Sequence, residues 1–64
     1  MKNNIRELRK QLGVRQEDIA NTLGVTRQTI NAIENEKYSP TLELAMKLAK
    51  LLNTTVDELF ILES

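Results

Sequence analysis

Residues 26–31 read TRQTIN. An arginine can donate two hydrogen bonds to guanine O6 and N7, and a glutamine can pair bidentately with adenine N6 and N7. Arg27 and Gln28 thus have the chemistry to read base edges in double-stranded DNA. Thr29 can touch a thymine methyl or a phosphate. Asn31 stands four residues after Arg27, on the same side of a helix. Just upstream, Arg15 and Gln16 sit where a helix is expected to begin, and the free backbone N–H groups of such an end favour a phosphate. Thr26 can donate to phosphate, with capping of the following helix as an equal alternative. The bland reading of Arg27 and Gln28 is a solvated helix face.

Other chemistry has little to stand on. The 64 residues include no histidine and no cysteine, which removes the commonest general base and the usual metal ligands. The carboxylates Glu17, Asp18, Glu34, Glu36, Glu43, Asp57 and Glu58 fall on expected helix surfaces or caps. No phosphate-cradling glycine loop or metal motif is present. Neither an enzyme nor a cofactor is expected. Nine basic side chains balance nine acidic ones, so attraction to phosphate must come from local charge placement. The N-terminus lacks the apolar core of a signal peptide and no apolar run approaches membrane-spanning length. A cytoplasmic protein without membrane contact is expected.

The elements that must position these residues are helices. Ile5, Leu8 and Leu12 mark a first helix over roughly residues 4–12, which Gly13 stops in a left-handed cap. Ile19, Ala20 and Leu23 mark a second, starting near Gln16 and ended by Gly24. Thr26 caps a third carrying Ile30 and Ile33, and NEKYSP reads as a loop. Thr41 caps a fourth, LELAMKLAKLL, ended by Asn53; its inward stripe reads as Leu42, Ala45, Leu48, Ala49 and Leu52. Thr55 to Glu58 read as a capping box for a short fifth helix. Residues 16–35 have what a helix-turn-helix needs: a small residue, Ala20, for close approach of the helices, and Gly24 for the positive φ of the turn.

In IRELRKQLGV, QEDIANTLGV, TRQTINAIEN, SPTLELAMKLAKLL and VDELF, the chain resembles the Cro/C1-type (XRE) helix-turn-helix family over residues 5–59, in the family's order and spacing. The resemblance implies an all-α, five-helix, lambda-repressor-like DNA-binding domain filling residues 1–64, with residues 27–34 as the recognition helix in the major groove. It also implies a sequence-specific transcriptional regulator. It assigns Gln16 to the phosphate backbone, and it places Asn35, Lys37 and Tyr38 in a loop that meets a second phosphate. Arg9 can join Arg6 and Lys10 as a basic face, but the resemblance pairs it with Glu34.

The chain departs from the family pattern at several positions. Arg15 replaces a capping serine or threonine, and Glu36 replaces a glycine, so Asn35 is expected to take the left-handed conformation instead. Leu44 and Leu51 stand where smaller or polar residues are frequent. With Phe60, Ile61 and Leu62 they suggest an apolar surface joining two copies, hence a homodimer on a palindromic operator. The alternative for the tail is to fold back and pair as a strand with residues 1–4. The rival function is an antitoxin-like interaction module with autoregulatory DNA binding; only a short tail after the fifth helix is read, which favours the regulator, and a bare domain leans towards a repressor.

Overall fold

The computed structural model describes residues 1–62; Glu63 and Ser64 of the expected tail lie outside the described residues. The chain is all-α, with helices α1 (Ile5–Leu12), α2 (Gln16–Leu23), α3 (Arg27–Glu34), α4 (Leu42–Leu51) and α5 (Val56–Leu59). A two-residue strand lies at each end of the described chain, β1 (Lys2–Asn3) and β2 (Phe60–Ile61). The strands pair antiparallel, Lys2 opposite Ile61 and Asn3 opposite Phe60. The tail therefore folds back on its own domain, as the alternative reading has it.

Helical periodicity puts one face of each helix inside. Ile5, Ile19, Ile30, Ile33, Leu48 and Leu59 are fully buried, and Ala20, Ala45, Ala49, Leu52 and Phe60 complete the core. Burying each of the large aliphatic side chains contributes about 1.5–3 kcal/mol. Ala20 is buried on α2, the helix that packs most extensively on α3.

The helix ends follow from side-chain chemistry. Thr26, Thr41 and Thr55 each cap a helix, their hydroxyls accepting from the backbone N–H of Thr29, Leu44 and Glu58. Arg15 caps α2 differently. A guanidinium has no acceptor, so only the returning half of a capping box forms, with Asp18 Oδ2 accepting from Arg15 N–H at 3.0 Å. In α5 the Glu58 carboxylate accepts from the Thr55 hydroxyl at 3.1 Å, not from its backbone as a full box requires.

The first four helices each stop at a left-handed residue: Gly13, Gly24, Glu36 and Asn53. After α3, Glu36 N–H donates to Ile33 and Lys37 N–H to Ala32, which satisfies carbonyls the helix leaves open. This corrects the expectation for Asn35. It has φ −91° and ends the helix as an ordinary cap, and the left-handed turn falls on Glu36 at φ 61°.

The expected apolar surfaces also need redrawing. Leu42 is not inward; it is 72% exposed in the first turn of α4. Phe60, expected at a joining surface, is 7% exposed and belongs to its own core, because alternate residues of a strand face opposite sides. Leu44 is half-buried against that core beside Leu23, Val25 and Tyr38. Leu51, Ile61 and Leu62 are exposed. Around α4, Leu44 and Leu51 lie on one edge, and Leu42 and Met46 lie on the other. The apolar hollow formed by Met1, Pro40, Leu42, Ala45, Val56 and Phe60 is on the Leu42 edge, so what little of Phe60 reaches the surface opens on the edge away from Leu44 and Leu51. Among the described residues no helix is long and apolar enough to cross a membrane.

Candidate nucleic-acid interface

Three short segments converge on one face. Gly24 turns the chain so that Thr26 caps α3 immediately after α2, and the first turn of α3 presents Arg27 and Gln28 outward, both exposed. Arg27 is shared between two adjoining hollows. One is lined by Arg27, Gln28 and Asn31. The other is lined by Arg6, Arg9, Arg15, Gln16, Glu17 and Arg27. The fold thus places Arg15 and Gln16, at the start of α2, beside the start of α3. Four arginines and one glutamate line this second hollow, so a chain of zero net charge carries a locally basic surface next to its uncharged amides.

The remaining candidates are placed less uniformly. Thr26 is committed to its cap and its hydroxyl also meets that of Thr29 at 3.0 Å. Thr29 is half-buried and lines a separate hollow with Tyr38, Leu44 and Lys47. Lys37 and Tyr38 are exposed in the loop after α3. Asn35 is exposed but occupied within the chain. Its amide nitrogen donates to the backbone oxygen of Asn31 at 2.9 Å and to Asn31 Oδ1 at 3.1 Å. Its own oxygen accepts from Arg6 Nη2 at 3.1 Å.

The far end of α3 is anchored by charge. The Glu34 side chain has no solvent exposure. Arg9 Nε donates to its Oε2 at 2.9 Å and Arg9 Nη2 to its Oε1 at 3.3 Å. Arg6 Nε also donates to Oε1, at 3.3 Å. A carboxylate this deeply buried is tolerable only when paired and hydrogen-bonded, and two guanidiniums of α1 supply that. Asn3 adds a neutral tie, its amide nitrogen donating to the Ile33 carbonyl at 2.9 Å.

From the sequence Arg6 reads only as part of a basic face, not as a partner of Glu34, and Asn3 has no role. For Arg6 a signal existed: it precedes Arg9 by three residues and shares its helix face. For Asn3 none did, because its partner lies thirty residues away and the contact depends on the β1–β2 pairing.

Comparison with known proteins gives the family. A family model described as helix-turn-helix matches residues 5–59. An uncharacterized HTH-type transcriptional regulator of Methanocaldococcus jannaschii is 48% identical over 63 residues, covering 98% of this chain and 96% of that protein. The uncharacterized HTH-type transcriptional regulator YgzD of Bacillus subtilis is 46% identical, with the same two coverages. The cryptic phage CTXphi transcriptional repressor RstR of Vibrio cholerae is 42% identical over 55 residues, 86% of this chain and 50% of RstR. With a match across most of its length and relatives this similar over nearly their whole chains, the protein belongs to the helix-turn-helix family of DNA-binding transcription regulators, of the Cro/C1 (XRE) type.

Proposed function

We propose that this chain is a transcriptional repressor that reads a palindromic operator as a homodimer. The observation that carries the reading is the outward face of the first two turns of α3, where Arg27, Gln28 and Asn31 line one hollow beside the arginine-lined start of α2. Arg27 and Gln28 contact base edges; Arg15, Gln16, Lys37 and Tyr38 hold the phosphate backbone and fix the register. Arg6 extends the basic surface onto α1. Thr29 contributes less than a free threonine, because its hydroxyl already meets Thr26.

Repression follows from occupancy: a domain of this size blocks a promoter by sitting on it. The similarity to a phage repressor supports that direction. Two copies related by a two-fold axis place their α3 helices about 34 Å apart, one turn of DNA, which calls for an inverted repeat.

The test is selection of bound sequences from a random duplex library, followed by titration of the best site. Gln28→Ala is expected to cost about 1–3 kcal/mol of affinity and to blur preference at one position in each half-site, with Arg27→Ala doing the same at a neighbouring position. Affinity and preference unchanged in both variants would remove α3 from the reading surface.

A further inference from the structure

We propose that Arg6, acting through Asn35, sets the kind of base edge that Asn31 reads, so that Asn31 selects guanine or thymine over adenine. This rests on the α3 surface being the reading surface.

The argument is one of donors and acceptors. An asparagine amide has one acceptor oxygen and a donor nitrogen, and which way it faces is decided by its neighbours. Asn35 is fixed from two sides. The group at its nitrogen is a backbone carbonyl, that of Asn31, which can only accept. The group at its oxygen is the Arg6 guanidinium, which can only donate. Arg6 is itself held by Glu34 through its Nε. Turning the Asn35 amide over would set two acceptors against each other at one end and two donors at the other.

Once Asn35 is fixed, so is Asn31. The Asn35 nitrogen also lies 3.1 Å from Asn31 Oδ1, so the Asn31 oxygen faces Asn35 and its amino group faces away. Asn31 lines the hollow with Arg27 and Gln28. What it offers there is a pair of N–H donors. An asparagine reading adenine bidentately must accept from N6 while donating to N7. Here one lone pair of that oxygen is taken by the Asn35 amide, and the oxygen faces residue 35. An adenine amino group has to reach the second lone pair from the side that Asn35 occupies, while the nitrogen, not the oxygen, faces the hollow. Two donors suit edges made of acceptors, N7 and O6 of guanine or O4 of thymine. Arg6 and Asn35 are positioning residues in this scheme, and Asn31 is the reader.

The scheme has a polarity that can be inverted. In Asn35→Asp the carboxylate keeps its attraction to Arg6 but loses its donors. The carboxylate moves off the Asn31 backbone carbonyl, since two acceptors cannot face each other there, and keeps to the Arg6 side. The Asn31 side chain then turns its nitrogen towards the carboxylate and its oxygen towards the DNA, where it suits the amino groups of adenine N6 or cytosine N4.

Selection from a random duplex library is run on the wild type, Asn31→Ala, Asn35→Asp and Arg6→Gln, with circular dichroism to follow folding. The position whose preference Asn31→Ala erases is the one Asn31 reads. At that position the wild type is expected to favour guanine or thymine, and Asn35→Asp to shift the preference roughly tenfold towards adenine or cytosine, while positions read by Arg27 and Gln28 keep theirs. Arg6→Gln, which frees the Asn35 oxygen, carries the test if Asn35→Asp does not fold. It is expected to broaden the same position to admit adenine. Adenine preferred by the wild type overturns the relay. So does an unchanged preference in a folded Asn35→Asp, or in Arg6→Gln where Asn35→Asp does not fold, and so does Asn31→Ala without effect at any position. A wild type that selects no sequence at all overturns the reading surface itself.

Discussion

Glu34 is the residue on which the placement of α3 turns. Its carboxylate is out of water and faces two arginines of α1. Removing a partner from such a buried pair leaves a charge without compensation, at about 3–5 kcal/mol. That is comparable to the whole stability expected of a domain this small. Arg9→Glu should therefore lower the melting temperature far more than Lys10→Glu, whose side chain is exposed on the same helix. Equal shifts in thermal melts of the two variants would show that Arg9 contributes no more than a surface charge. Residue types alone left Arg9 between two roles, because Arg6, Arg9 and Lys10 cluster within five residues of one helix. What separates the two arginines from Lys10 is their reach to the Glu34 carboxylate, distant in sequence. Gln28 and Arg27 are easier to read from sequence, since they fall between the apolar positions Val25 and Ile30 that fix the inward face of α3, and both are exposed.

At the scale of the helix, legibility followed local rules. Gly13, Gly24 and the three capping threonines act within a few residues of themselves, and the helices begin and end where those signals stand. The end of α3 went astray by one residue. Asparagine tolerates the left-handed conformation better than glutamate, yet the helix reaches Glu34, so Asn35 is the cap and the turn falls on Glu36. A non-glycine residue there costs about 1–2 kcal/mol, partly offset in glycine by its greater freedom when unfolded. Glu36→Gly should accordingly stabilise the domain by about 0.5–1 kcal/mol, a rise of several degrees in melting temperature for a domain of this length. Scanning calorimetry decides it, and a lower melting temperature would mean that Glu36 makes a compensating interaction. The tail was harder. Phe60, Ile61 and Leu62 read as surplus apolar surface because strand alternation cannot be told from three letters. Pairing with β1 turns Phe60 inward and leaves Ile61 41% exposed.

For the whole molecule, the proposed homodimer needs a joining surface, and the two edges of α4 differ in what they offer. The Leu42 edge of α4 is more exposed than the Leu51 edge: Leu42 is 72% and Met46 53% exposed, against 36% for Leu51. Leu42 also rims the apolar hollow floored by Ala45 and Phe60. Association through this edge predicts that a Leu42→Glu, Met46→Glu double variant stays folded and becomes monomeric in light scattering at micromolar concentration. Leu51→Glu should leave the proposed dimer in place, and a wild type that scatters as a monomer even on DNA would remove the dimer altogether. Loss of association in Leu51→Glu alone would move the interface to the other edge. The β1–β2 pairing has a consequence of a different sort, in the order of events during folding. Joining Lys2 to Ile61 closes nearly the entire chain into one loop, while α2 and α3 meet across a few residues. Loop closure costs more entropy as the loop lengthens, so contacts near in sequence form first. The ribbon is then the last part to assemble and is absent from the transition state. A substitution that weakens it should act on the unfolding rate and leave the folding rate alone. In stopped-flow measurements Ile61→Gly, worth about 1 kcal/mol on strand propensity, should unfold roughly fivefold faster with an unchanged folding arm. A slower folding arm would put the two ends of the chain together at the start of folding.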